Sequence, residues 1–153
     1  MTATIREAAE DEHDELIPLL LLAEPSRRAL RYSLENMSDA VYRMDAGGAL
    51  IGAATMAWRR DPCEIVELAI ATEEQGRGYG RTLVEWLANE ARRRRKKSMI
   101  VGTASTSAGN ILFYQKCGFR IADVRQDYFW YYDTPRIENG LVVRDMLVLE
   151  MGL

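Results

Sequence analysis

The feature that most constrains this chain is a glycine-rich segment, Gln75 to Gly80, that follows an apolar run and opens into a helical pattern. The apolar run, Ile65 to Ile70, predicts a strand, and the residues after Gly80 have apolar side chains at helical spacing. The first turn of a helix leaves backbone N–H groups without partners inside the helix, and the helix dipole adds partial positive charge there. Glycines at positions 76, 78 and 80 carry no side chain that would keep a phosphate away from this backbone. The segment therefore predicts an anion-binding turn between a strand and a helix.

Two other phosphate-binding motifs fit this segment poorly. A Rossmann fingerprint has the spacing Gly-x-Gly-x-x-Gly and an acidic residue about 20 positions later. The glycines here are spaced Gly-x-Gly-x-Gly, and the region 95–97 is basic. A Walker A loop ends in Gly-Lys-Ser or Gly-Lys-Thr, which the segment lacks. The alternative left open is a glycine-rich turn without a ligand.

Length and charge limit the class of protein. With 153 residues the chain has the length of one domain, which we expect to span residues 1–153. A net charge of −3 and a pI near 5.3 argue against a general nucleic-acid partner, which needs a basic face. The basic run Arg92 to Lys97 falls at the end of the helix that begins near Gly78, where cations complement the helix dipole. We therefore interpret the run as a solvated helix end.

Neither a metal site nor a membrane anchor is predicted. The thiols of Cys63 and Cys117 and the single imidazole of His13 do not have the spacing of a metal-ligand set. The longest apolar run, around Leu19 to Ala23, is too short to span a bilayer. Because no signal-peptide pattern follows Met1, we expect a cytoplasmic protein with reduced thiols.

Alternating patterns along the chain predict an α/β fold. Helices are expected over Asp11 to Leu22, Pro25 to Asn36, Gly80 to Ala91 and residues 108–117, the last ending at the cap glycine Gly118. Strands are expected over Thr4 to Glu7, Asp39 to Met44, Leu50 to Trp58, Glu64 to Ala71 and Met99 to Thr103. Two long strands, about Phe119 to Tyr132 and Leu141 to Glu150, are expected to finish the chain.

Two motifs and this element order resemble one known family. The pattern Gln-x-x-Gly-x-Gly of the glycine-rich segment is similar to the pyrophosphate loop of the GCN5-related N-acetyltransferase (GNAT) family. The segment Phe113 to Phe119 resembles the family's Phe-Tyr-x-Lys-x-Gly-Phe motif, and Tyr114 follows Gly80 by 34 positions, as the fold requires. The resemblance covers the whole chain. It is nearest to small uncharacterised bacterial members that also carry Glu-Asn-Gly and Arg-Asp-Met late in the chain, here residues 138–140 and 144–146.

The resemblance implies a fold, a reaction and a cofactor. The fold would be a central mixed, twisted sheet of about seven strands flanked by about four helices. The reaction would move an acetyl group from acetyl-CoA to a primary amine by direct attack in a ternary complex. The cofactor-binding residues would be Leu68, Ala69, Ile70, Gln75, Gly76, Arg77, Gly78, Tyr79, Gly80, Arg81 and Tyr114, with either Ser107 or Asn110. Ser107 stands where the family often has an asparagine, so the choice between these two residues stays open.

The same resemblance assigns candidate catalytic groups. An ammonium with a pKa near 10 must lose a proton before it attacks a thioester. The family's base position corresponds to Glu64, and Glu67 is the competing choice. Strand alternation would place these two carboxylates on opposite faces unless a bulge re-aims one of them. Tyr114 would protonate the leaving thiolate.

The acceptor is the least determined part of the hypothesis. Aromatic and acidic side chains cluster between Asp127 and Glu138, where aromatics beside carboxylates suit a cationic amine such as an aminoglycoside or a polyamine. A protein N-terminus or lysine is an alternative acceptor. The same aromatics also suit a core or a homodimer surface. A non-catalytic acetyl-CoA sensor with this fold is the alternative from another class of function.

Overall fold

A computed structural model of the chain describes residues 2–153. It contains nine strands: β1 (Ala3–Glu7), β2 (Ala40–Ala46), β3 (Ala49–Ala57), β4 (Cys63–Ile70), β5 (Ser98–Ala104), β6 (Arg120–Arg125), β7 (Ile137–Glu138), β8 (Leu141–Val142) and β9 (Met146–Gly152). Seven of them form one sheet in the order β1-β2-β3-β4-β5-β9-β6. Every neighbouring pair is antiparallel except β4 and β5, which are parallel. The sheet is therefore mixed, as predicted.

Four α-helices accompany the sheet: α1 (His13–Ala23), α2 (Arg27–Tyr32), α3 (Tyr79–Arg93) and α4 (Ala108–Lys116). The Ser26 hydroxyl caps α2 by accepting from the Ala29 N–H. After Tyr32 the chain widens into a π-helical turn, Ser33–Met37, so the expected helix from Pro25 to Asn36 is two connected segments. No helix among residues 2–153 is long and apolar enough to cross a membrane.

The two faces of the sheet carry separate apolar clusters because neighbouring strand residues point to opposite faces. Val41 and Ala53 pack with α1 and α2, whereas Tyr42 and Ala54 belong to the cluster that holds α3. The buried side of α3 consists of Leu83, Val84, Leu87, Ala88 and Ala91. This is the apolar stripe predicted from the helical spacing of the sequence.

Strands β4 and β5 pair over only part of their length. The parallel ladder joins Cys63, Glu64 and Ile65 to residues 99–101, and the two strands have no paired residues beyond Ile65. The register of β4 against β3 shifts at the same point, because Thr55 lies opposite Glu67 and Met56 lies opposite Ile65. Val66 is thus an extra residue in β4, a bulge. The centre of the sheet opens beyond this bulge.

The two long strands expected at the end of the chain are both interrupted. Strand β6 stops at Arg125, because Asp127 adopts a left-handed conformation (φ 55°) and its N–H donates to the Asp145 carboxylate at 2.9 Å. The aromatic residues that follow form turns instead of the predicted strand to Tyr132. The expected strand from Leu141 to Glu150 is divided into β8 and β9, because β8 pairs only with β7 in a separate two-stranded hairpin.

Candidate active site

The opening between β4 and β5 is the floor of a cleft of about 1690 Å³. Residues 66–70 line it from β4 and residues 101–104 line it from β5. The glycine-rich turn, the first residues of α4, the α1–α2 connection and the loop between β6 and β7 contribute the other walls. One cleft therefore joins the predicted anion turn to both predicted carboxylates.

The glycine-rich turn leads directly into α3. Gly76 (φ 78°) and Gly78 (φ 88°) have left-handed conformations that favour glycine, and Gly78 is the residue that precedes the first turn of α3. The Gln75 side-chain amide donates to the Ile70 carbonyl at 2.9 Å, which ties the turn to the end of β4. A Cβ on Gly80 would lie 3.1 Å from the Phe113 ring, so a glycine here lets α3 and α4 pack closely. The first residues of α3, Tyr79 to Arg81, line the cleft.

The structure brings nearly all the predicted cofactor residues together. The cleft is lined by Leu68, Ala69, Ile70, Gln75, Gly76, Gly78, Tyr79, Gly80, Arg81, Ser107, Asn110 and Tyr114. Arg77 is the exception among the predicted residues, because it does not line the cleft and its exposed guanidinium pairs with Glu74 at 3.3 Å. Among residues 2–153, no group of three or more metal-binding side chains is present.

Glu67 is a buried carboxylate held by two hydroxyl groups. Its carboxylate accepts one hydrogen bond from the Ser33 hydroxyl, at 2.8 Å, and another from the Thr55 hydroxyl. Burial raises the pKa of Glu67, an effect that these two hydrogen bonds oppose, while the charges of Glu24 and Glu64 raise the pKa further. A carboxyl group with a raised pKa is a better proton acceptor than an ordinary one.

Glu64 is also buried, and it lies on the same strand as Glu67, on the other side of the bulge at Val66. Its carboxylate pairs with the Arg60 guanidinium at 2.7 Å. Both Glu64 and Glu67 line the cleft, because the extra residue Val66 reverses the alternation between them. The bulge that both carboxylates need in order to share one face of β4 is therefore present.

Tyr114 lies on the inward side of α4. Its ring makes edge contacts with Phe113 and Phe119, at centroid separations of 5.0 and 5.6 Å. Burial raises the pKa of the Tyr114 phenol, so its hydroxyl keeps the proton well above neutral pH. The side chain is at once packed in the core and part of the wall of the cleft.

The residues in front of α4 are bound by the small β7–β8 hairpin. The hydroxyls of Thr106 and Ser107 both donate to one carboxylate oxygen of Glu138, at 2.8 and 2.7 Å. The Asn139 amide donates to the Thr106 carbonyl at 2.8 Å. Three side-chain hydrogen bonds thus join the hairpin to the turn that precedes α4.

Aromatic residues from the loop after β6 form part of the wall of the cleft. Tyr131 and Tyr132 each donate a hydroxyl proton to the Glu24 carboxylate, at 2.6 and 2.7 Å. Burial and the neighbouring Glu24 carboxylate raise the pKa of both phenols. These contacts connect the α1–α2 turn to the loop across the cleft, with Tyr128 and Phe129 packed beside them.

Sequence reasoning did not identify several of these polar residues, among them Glu24, Ser33 and Thr55. Thr55 had one usable signal in the sequence, because it is the only hydroxyl residue in the otherwise apolar strand β3. In the structure it is fully buried. Glu24 and Ser33 lie in a stretch whose helical spacing says nothing about contacts with distant strands. Their roles depend on tertiary packing alone.

The fold and the cleft, which joins the glycine turn at the start of α3 to the open edge of β4, are those expected for the class of acetyl-CoA-dependent transferases. Residues 4–119 match the model of the Acetyltransferase (GNAT) family, and the chain belongs to that family. A Bacillus subtilis (strain 168) protein named Uncharacterized N-acetyltransferase YvbK is 36% identical over 149 residues, which are 96% of this chain and 95% of that protein.

Two solved structures share the fold over almost their entire length. A GNAT family acetyltransferase from Elizabethkingia anophelis with acetyl-CoA bound is 31% identical, with a TM-score of 0.88, covering 99% of this chain and 98% of that one. A Bacillus subtilis acetyltransferase in complex with CoA is 34% identical, with a TM-score of 0.88 and 99% of each chain covered. The predicted family and fold are confirmed.

Proposed function

We propose that this protein is an N-acetyltransferase that transfers the acetyl group of acetyl-CoA to a primary amine by direct attack in a ternary complex. The observation that carries the proposal is the single cleft in which the anion turn, the unpaired edge of β4 and the buried carboxylates meet. Family membership and the bound acetyl-CoA of the Elizabethkingia anophelis relative support the donor. Calorimetry with CoA, followed by a free-thiol assay with acetyl-CoA and amines, tests the proposal.

The diphosphate of the cofactor would bind at the start of α3. Its charge suits the free N–H groups and the dipole of that helix, and glycines at positions 76 and 78 leave the approach open. The pantetheine arm would lie along residues 66–70, whose edge toward β5 has no strand partner. Backbone N–H groups of Leu68 to Ile70 would then polarise the acetyl carbonyl.

The base is assigned to Glu67, with Glu64 as its competitor. Glu64 occupies the family's base position, but its carboxylate already forms an ion pair with the Arg60 guanidinium. None of the ion pairs among residues 2–153 includes Glu67, and its pKa is raised. Glu67 would take the proton of the ammonium, and the freed amine would attack the thioester carbon.

Tyr114 is assigned to the departing thiolate. As the carbon–sulfur bond breaks, the sulfur gains charge, and a phenol that stays protonated can give it a hydrogen bond and then a proton. A phenol is protonated near pH 7, and burial raises the pKa of Tyr114 further. Since the same shift makes the proton harder to release, we expect hydrogen bonding to the sulfur to precede the transfer.

The acceptor is proposed to be a small cationic amine of aminoglycoside or polyamine type. The carboxylates of Glu24, Glu64 and Glu67 are among the seven acidic groups that line the cleft, which also contains the aromatic rings of residues 128–132. Negative charge and aromatic faces both attract a cation. A panel of polyamines, aminoglycosides, neutral amines and peptides with free N-termini or lysines distinguishes this class from a protein acceptor.

Two further properties stay predictions. A cytoplasmic location is expected from the sequence, and fractionation of cells tests it. A homodimer would use an exposed surface, and the edge strand β6 carries the half-exposed apolar residues Ile121 and Val124. Analytical ultracentrifugation measures the oligomeric state. A sensor without activity would bind CoA and release no thiol with any amine of the panel.

A further inference from the structure

The β7–β8 hairpin contacts the wall of the cleft at a position that the reaction outlined above does not use. Glu138, in that hairpin, accepts from the Ser107 hydroxyl at 2.7 Å, and Ser107 is the residue that precedes the first turn of α4. Serine at such a position usually accepts from a helix N–H, and here it makes no such bond. The hydroxyl is turned toward the hairpin instead.

This arrangement fixes what the Ser107 oxygen can do. A hydroxyl has one proton and two acceptor lone pairs, and a carboxylate can only accept. The Ser107 hydroxyl therefore donates its one proton to the hydrogen bond with Glu138. Toward the cleft, Ser107 has only acceptor capacity.

A bound acetyl-CoA supplies the complementary group. The pantetheine arm contains two amide N–H groups, and Ser107, which is 8% exposed, lines the cleft near the end of β5. We propose that Glu138 is a positioning residue that holds Ser107 so that its oxygen accepts from an amide N–H of the pantetheine arm. This inference rests on acetyl-CoA being the donor, as proposed above.

The alternative is that Glu138 only anchors the hairpin. Asn139 provides the matched control, because its amide also joins the hairpin to the same turn, through the Thr106 carbonyl. Asn139 has a positive φ of 52°, a conformation that glycine adopts freely, so Asn139→Gly removes that bond without strain. The hairpin loses an anchor in this variant while Glu138 and Ser107 stay in place.

The test is a double-mutant cycle on CoA affinity, measured by calorimetry, with thermal denaturation of every variant. We expect Glu138→Ala and Ser107→Ala each to weaken CoA binding roughly five- to tenfold, the usual effect of one hydrogen bond. In the Ser107→Ala background, Glu138→Ala should have no further effect, because Glu138 acts through Ser107. Glu138→Gln, whose oxygen can still accept, should restore most of the affinity, and Asn139→Gly should stay within twofold.

Several results would overturn the inference. One such result is that Glu138→Ala lowers CoA affinity equally in the wild-type and the Ser107→Ala backgrounds. Another is that Asn139→Gly lowers CoA affinity as much as Glu138→Ala does. A third is that Glu138→Gln does not restore CoA affinity. Unchanged affinity in Ser107→Ala would overturn it as well. Since CoA binding needs no turnover, failure of the wild-type protein to bind CoA refutes the proposed function, whereas binding without the expected coupling refutes only the role of Glu138.

Discussion

Replacement of Gly78 by valine tests whether the glycine turn binds the cofactor. Gly78 has φ 88°, where an L-residue is strained by roughly 1–2 kcal/mol. A Cβ built there meets no atom within 4 Å, so the unliganded fold suffers backbone strain without a clash. The open space around it is the cleft, and the valine side chain would occupy the approach of a phosphate to the start of α3.

Gly48→Val is the matched control. Gly48 has φ 79° in the turn between β2 and β3, its Cβ would also meet nothing within 4 Å, and it does not line the cleft. Both variants should therefore lose similar stability. A cost of 1–2 kcal/mol corresponds to a fall in Tm of about 2–8 °C for a domain of this size.

The two variants should differ in affinity for CoA. A hydrogen bond from a backbone N–H to a charged oxygen contributes about 1.5–3 kcal/mol, so loss of one such bond lowers affinity about 10- to 150-fold. Calorimetry at fixed salt should give this loss for Gly78→Val and a change within twofold for Gly48→Val. Wild-type affinity in a folded Gly78→Val protein, or an equal loss in both variants, would refute the reasoning.

The remaining predictions concern titrating groups. Tyr114→Phe should lower kcat by about 10- to 10⁴-fold and leave CoA affinity within a few fold; full turnover would return Tyr114 to a packing role. Glu67→Gln should lower turnover at pH 7 more than Glu64→Gln does, with partial recovery at higher pH, and the reverse order would make Glu64 the base. Because folding raises the pKa of Glu67, the folded protein loses stability as pH rises from the unfolded pKa of this group through its folded pKa; Glu67→Gln should therefore flatten that fall in a Tm–pH curve. The Arg6 guanidinium lowers the pKa of Glu12 to about 2, so its stabilising effect is lost as pH falls from about 4.5 toward 2, and Glu12→Gln should flatten the acid limb of a Tm–pH curve.

Local sequence determined the parts of this site that were predicted. A glycine turn that follows a strand and starts a helix is encoded by neighbouring residues, and α3 begins at Tyr79 inside the predicted turn. The apolar stripe of α3 and the cap glycine Gly118, with φ 107°, are local signals of the same kind. These features need no information about distant parts of the chain.

The incorrect predictions arose where distant contacts override local preference. Residues 128–132 are aromatic and have high strand propensity, yet they turn away from the sheet after Asp127. Two of these residues bind Glu24, which is more than 100 positions earlier in the chain. No periodicity within the segment indicates that partner. The end of β6 and the aromatic wall of the cleft therefore could not be predicted from the sequence.

The bulge at Val66 connects the two halves of the proposed chemistry. An extra residue changes the alternation of β4, so Glu67 points into the cleft on the same side as Glu64, opposite the Thr55 hydroxyl that binds it. The ladder with β5 also ends at Ile65, immediately before the bulge, and the following backbone is left for a ligand to pair with. A single irregularity thus places a proton acceptor and a free strand edge within one stretch of β4. Because the acyl group and the amine must meet at that stretch, any substitution that straightens β4 should impair cofactor binding and proton removal together.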